Sequence, residues 1–230
     1  MKKVLVFLVL VGAIAAFLYF PRTAAVVSAA NAATLAVLNT AVEGSRAGSS
    51  FAPALDGEVY STGDLIRANA DGRAVLTFFD GTTLSMDPGS QVKVVTLNPL
   101  PADGIQVSIE QALGRSWSAV QKLKTPDSRY EVKTPSASAA VRGTAFLTFV
   151  QQLPTGNTQT TYRVDEGALQ VTASAGGSVT VPAGAQVTIA EGAKAPATPS
   201  PIPATSRLEI TASAASASSR SRRPGRAAGR

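Results

Sequence analysis

Neither cysteine nor histidine occurs anywhere in this chain of 230 residues. Without thiols no disulfide framework and no thiolate metal site can form. Without imidazole the usual general base at neutral pH and the commonest metal ligand are both missing. Hydrolytic triads, zinc centres and most acid–base chemistry are therefore not expected, and the chain is read as having no catalytic residue, no metal site and no cofactor. Aromatic residues make up only 6% of the chain, with a single tryptophan. No convincing helical period runs through residues 33–191.

The net charge of +6 is unevenly spread. Residues 1–32 carry Lys2, Lys3 and Arg22, and residues 195–230 carry Arg207, Arg220, Arg222, Arg223, Arg226 and Arg230 against Glu209. The stretch between them has 12 basic and 14 acidic residues, a balance of −2. A nearly neutral body gives no case for a nucleic-acid surface.

Residues 4–20 are 17 uncharged, almost wholly apolar residues behind two lysines. A membrane-spanning helix needs about 17 to 25 such residues, and a cleaved signal core about 7 to 15. An uncleaved signal anchor over 1–22 is the favoured reading, followed by a short linker over 23–32. A cleaved signal peptide is the alternative, with Ala30-Asn31-Ala32 as a small-x-small site. Either way the lysines stay in the cytoplasm and the rest is exported. That implies a cell-membrane protein with a single pass and its domain outside the cytoplasm, or a secreted or periplasmic protein after cleavage.

From 33 to 191 one design returns: a turn ending in glycine, then a short run alternating apolar and polar. It follows Gly72 (Ala74, Leu76, Phe78), Gly81 (Leu84, Met86), Gly104 (Ile105, Val107, Ile109), Gly167 (Leu169, Val171), Gly177 (Val179, Val181) and Gly184 (Val187, Ile189). A period of two marks half-buried strands, because successive side chains leave opposite faces of the pleat. Glycine supplies the positive φ such turns require. The expected fold is all-β: a two-sheet, jelly-roll-like sandwich of short strands. A true solenoid is disfavoured because the gap from Gly114 to Gly143 breaks the rhythm. Residues 192–230, rich in Pro, Ala and Ser with an Arg-rich end, are expected to stay disordered. Within them Leu208 to Thr211 form a short island that can pair as a strand with a partner or with the body.

The run KTPSASAAVRGTAF at 133–146 resembles the signature of the FecR domain family. Upstream, STGDLIRANADGRAVLTFFDGTTLSMDPGSQVKV at 61–94 is similar to that family's ordered series of Gly-containing turns, and VDEGALQVTA (164–173) and VPAGAQVTI (181–189) to its closing strands. The resemblance covers roughly 33–191. It implies a non-catalytic extracytoplasmic domain, membrane-anchored, that binds an envelope protein or a ligand in signalling or scaffolding. Only Met1, Lys2 and Lys3 precede the apolar run, so the family's N-terminal anti-sigma region is not expected here. A cell-wall polysaccharide-binding structural protein is the alternative.

Arg142, with Gly143 and Thr144, is the first candidate binding group. A guanidinium offers five donors in a fixed fork, able to tie loop carbonyls together or to hold a partner's carboxylate. Trp117 is the second, since an exposed indole stacks on sugars, while a buried one supplies core. The Arg-rich tail offers anionic polymer or lipid a contact. Asp64, Asp71, Asp80 and Asp87 read as turn residues rather than a calcium loop, which needs six to eight converging oxygens. Ser90 and Lys93 fit an SxxK spacing, but three residues along a strand places them on opposite faces. The same geometry separates the neighbouring carboxylates Asp165 and Glu166.

Overall fold

The computed structural model describes residues 31–203. The proposed N-terminal span and nearly all of the linker lie outside the described residues, as do the Arg-rich end and the 208–211 island. No helix occurs among the described residues, and the body is all-β. Strands β1 (Ala33–Asn39), β2 (Val42–Ser45), β3 (Ala52–Pro53), β4 (Val59–Tyr60), β5 (Leu65–Ala68), β6 (Arg73–Phe78), β7 (Thr83–Met86) and β8 (Gln91–Leu100) lead to a sixteen-residue β9 (Gly104–Ala119). After it come β10 (Arg129–Lys133), β11 (Ala137–Val141), β12 (Ala145–Gln152), β13 (Thr158–Glu166), β14 (Ala168–Ala173), β15 (Gly176–Pro182), β16 (Ala185–Ala190) and β17 (Ser200–Pro201).

Backbone pairing sorts these strands into two ladders. The first runs β4-β1-β6-β7-β9-β12-β13-β16-β17. The second runs β3-β2-β5-β8-β9-β10-β11-β14-β15. All neighbours are antiparallel except β9 and β10, which run parallel from Gln106 opposite Arg129 to Glu110 opposite Lys133. From β6 onward the strand order rises with the sequence in each ladder. Hairpins β10–β11, β12–β13, β14–β15 and β16–β17 fall alternately in the second and the first ladder.

Strand β9 belongs to both ladders, and Gly114 is where it changes over. Residues 104–113 pair with β8, and residues 114–119 pair with β12. The φ of Gly114 is 85°, in the left-handed region. A Cβ there would stand 2.4 Å from Ser90 Cα and 2.6 Å from Gly89 O, so only glycine fits. Ser90 Oγ lies 2.6 Å from Asp87 O and 2.7 Å from Arg115 O, and accepts the Arg115 N–H at 3.1 Å. The Asp87 carboxylate then receives Arg73 at 2.9 Å and Arg115 Nε at 2.8 Å. The serine of the SxxK spacing is thus a buried corner post.

The alternating residues named from the sequence form the interior. Ala74, Leu76, Phe78, Leu84, Met86, Ile105, Val107, Ile109, Leu169, Val171, Val181, Val187 and Ile189 are all buried, and Val179 is half-buried. They belong to one continuous core fed by both ladders. Contacts run from one ladder to the other. The Tyr130 ring of β10 meets Phe78 of β6 edge-on at 6.0 Å and Phe146 of β12 at 6.5 Å. Tyr162 Oη of β13 donates to Ala137 O of β11 at 3.3 Å.

The ordered body continues past residue 191, where the sequence pattern stops. Residues 192–203 fold back along β16: Ser200 and Pro201 pair with Gln186 and Ala185, and Ile202 N–H donates to Gly184 O at 3.0 Å. Ile202 is only 5% exposed. The proline-rich composition that signals an unstructured tail here makes a strap held by one apolar anchor.

Candidate functional site

The segment Arg142-Gly143-Thr144 is the crossover that carries the chain from β11 in the second ladder to β12 in the first. It sits within a rim of crossovers tied to one another through backbone bonds. Val120 N–H donates to Thr144 O at 3.0 Å, Ala183 N–H to Gly167 O at 3.0 Å, and Gly184 N–H to Val164 O at 2.8 Å. Thr144 Oγ1, itself buried, donates to Ala168 O at 3.0 Å. The rim therefore links residues 120–123, 142–144, 167–168 and 183–184 across the body.

Glycine is required at Gly143. Its φ is 120°, and a Cβ would fall 2.9 Å from Lys122 Cα, in the backbone of the β9–β10 connection. That same connection is what Arg142 holds. Nη1 donates to Pro126 O at 3.0 Å and Nη2 to Thr125 O at 2.7 Å. Two arms of the fork thus close a long connection that has no strand partner of its own. The guanidinium is exposed, and shallow grooves flank it. One, of about 540 Å³, is lined by Gln121, Lys122, Arg142, Thr144 and Glu166. The other, of about 590 Å³, is lined by Pro126, Arg129, Arg142, Gln170 and Thr180.

Trp117 stands apart from this rim. It lies in β9 opposite Leu147 and Ser85, and with Leu147 and Ile202 forms a second small apolar cluster, with Ala145 and Phe149 packed against it. The indole is 6% exposed, which leaves no face open for a sugar to stack on. Arg142, Gly143 and Thr144 are therefore brought together, and Trp117 is not among them. The signal for Trp117's burial lay in its alternation partner across the pleat and in Ile202, a residue the composition assigned to the tail.

The turn carboxylates are spent locally. Asp64 accepts Ala47 N–H at 3.0 Å, Ser61 N–H at 2.8 Å and Arg46 Nη1 at 3.0 Å. Asp80 accepts Thr82 N–H at 3.0 Å and Thr82 Oγ1 at 2.7 Å. Glu58 gathers Leu55 N–H at 3.0 Å and Arg46 at 2.5 Å. Burial raises its pKa, and these bonds outweigh that and hold the carboxyl below its ordinary value. Among the described residues no three acidic side chains converge on one point.

The family model described as FecR protein matches residues 64–193. None of the curated proteins compared with the chain matches it. Two crystal structures, at 1.65 Å and 2.50 Å resolution, of a candidate anti-sigma factor from Parabacteroides distasonis ATCC 8503 are similar, at 17% identity with TM-scores of 0.48 and 0.49. Each alignment covers 63% of this chain and 62% of that one, so the chain spans less than two thirds of the protein it resembles.

Proposed function

Because this chain belongs to the FecR family, we propose that it is a non-catalytic, extracytoplasmic recognition domain in cell-envelope signalling or scaffolding. It is held at the membrane by its N-terminal apolar segment, or released to the periplasm if that segment is cleaved. The family match over 64–193 carries this reading. We read the two ladders as the facing sheets of a sandwich, supported by the Phe78–Tyr130–Phe146 ring contacts between them. The rising strand order favours a zigzag of alternating hairpins over the interleaved order of a jelly roll.

The surface we assign to partner contact is the rim beside Arg142, Gly143 and Thr144. Arg142 commits two donors to carbonyls of its own chain, so its first role is to set the shape of the rim. Recognition then falls to the exposed Lys122 and Glu166 on the groove walls. The wall-polysaccharide alternative loses its main contact with the burial of Trp117. The test is saturable binding of the purified full chain to envelope proteins and, separately, to wall polysaccharide. A protein partner whose affinity falls about tenfold or more in Glu166→Lys, with an unchanged melting temperature, supports the reading. Glycan turnover abolished by a single carboxylate change, or polysaccharide binding alone, overturns it.

A further inference from the structure

The described residues hold two apolar clusters, and only the larger is the core. Trp117, Leu147 and Ile202 make the smaller one, with Ala145 and Phe149 against it. Its place follows from the pleat: Phe146 and Tyr162 point into the core, so their neighbours Leu147 and Arg163 stand on the outer face of the first ladder. Pairing register sets Trp117, Leu147, Arg163 and Gln186 side by side in one row across β9, β12, β13 and β16. The row begins apolar and ends polar.

Its polar end is unsatisfied. Arg163 Nε and Gln186 Oε1 are both buried, and neither has a hydrogen-bond partner. Arg163 makes no ion pair among the described residues, Asp165 two positions along the same face included. Buried polar atoms are almost always paired, so two orphans side by side mark a place where an incoming polar group gains more than it would in water.

The segment that reaches this row, 192–203, is weakly held. It contributes two register pairs, Ser200 with Gln186 and Pro201 with Ala185, and the bond from Ile202 N–H to Gly184 O at 3.0 Å. Pro196, Pro199, Pro201 and Pro203 have no N–H to donate, and the ladder along β16 goes no further than Gln186. Val187 to Ala190 pair with β13 on one side and, among the described residues, with no strand on the other.

We propose that this strap is a stand-in for a partner: the row from Trp117 to Gln186, with the free flank of β16, takes an extended segment of another protein that carries a carboxylate two residues before an apolar side chain. The strap itself sets that spacing. Ser200 stands beside Gln186 at the polar end, and Ile202 fills the apolar cluster. A residue in the Ser200 position lies about 10 Å from Arg163, two strand spacings, a gap that a glutamate and an arginine close from their two sides. Residues other than proline would also bond to β16 where the strap does not. This contact is additional to that at the rim beside Arg142 and does not depend on it.

The single tryptophan reads the site directly, because acrylamide quenching of the full chain in detergent reports how well Trp117 is covered. Ile202→Asp, with Ile202→Ala beside it should the charged variant lose its fold, is expected to raise quenching about threefold or more while the body keeps its melting temperature. The peptide PATPSPIP, residues 196–203, added to that variant is expected to restore protection. The same peptide with Ser200→Glu is expected to do so at about tenfold lower concentration. Arg163→Gln in the same background is expected to abolish that advantage and to leave binding of the parent peptide unchanged. Unaltered quenching in both Ile202 variants overturns the proposal, and so does collapse of the body in both, which would make the strap part of the fold. Failure of both peptides at about 1 mM also overturns it, as does a glutamate advantage that is absent or that survives Arg163→Gln.

Discussion

Replacing Gly114 with alanine tests whether the change of ladder within β9 is as tightly determined as its geometry implies. Two costs add. Forcing an L-residue into the left-handed region at φ 85° costs about 1–2 kcal/mol. The new Cβ also meets backbone, Ser90 Cα at 2.4 Å and Gly89 O at 2.6 Å, so no side-chain rotation relieves it. Overpacking of that kind costs about 1–3 kcal/mol. The sum, about 2–5 kcal/mol, is a large share of the roughly 5–15 kcal/mol that holds a domain folded. At about 2–4 °C per kcal/mol for a body of this size, melting should fall by about 4–20 °C. Gly156→Ala is the matched control: its φ is 89°, but a Cβ there meets nothing within 4 Å, so only the conformational cost applies. Denaturant unfolding followed by fluorescence reports directly on the region, because the single tryptophan lies three residues from Gly114. If Gly114→Ala proves no more destabilising than Gly156→Ala, the steric account of the crossover is wrong.

Arg142→Ala removes two charge-assisted bonds to Thr125 and Pro126 carbonyls and should cost about 1–3 kcal/mol. Exchange at residues 123–128 should quicken more than in the strands on either side, and an unchanged connection would deny Arg142 its structural role. Tyr130 and Tyr162 are fully buried, and burial pushes both phenols well above their ordinary range; Tyr60 is pushed up to about 12, also chiefly by burial. A phenol whose pKa is raised by folding contributes stability that is complete below the unfolded value near 10, and that is lost as pH rises toward the folded value. Ultraviolet titration should therefore show Tyr130 and Tyr162 ionising only as the body unfolds at alkaline pH; their ionisation near pH 10 in the folded state would refute the burial.

The strands were legible because their signal is local. Glycine before alternating residues gave the inward positions in β6, β7, β9, β14 and β16 directly, since the pleat allows only one face to be apolar. Partnership between strands was not legible. Nothing in IQVSIEQALGRSWSAV separates the half of β9 that joins one ladder from the half that joins the other, and Gly114 reads like any turn glycine until Ser90 is seen beneath it. Arg142 could be named from its setting beside a glycine, but its partners lie 16 and 17 residues away in a connection without periodicity. The strap over 192–203 was hidden for a related reason. Proline content argues against a long strand or helix, yet a two-residue pairing at Ser200–Pro201 and one isoleucine reaching an apolar cluster are enough to hold the segment.

Strand order that climbs with the sequence has a consequence for reach. In the first ladder seven strand-to-strand steps separate β1, where the described chain begins, from β17, where it ends. At about 4.8 Å per step the two ends of the body stand about 34 Å apart measured across the sheet. A contact at the β17 margin is thus kept about that far, measured across the sheet, from β1, and removing or adding one hairpin of this ladder would shorten or lengthen the separation by about 10 Å.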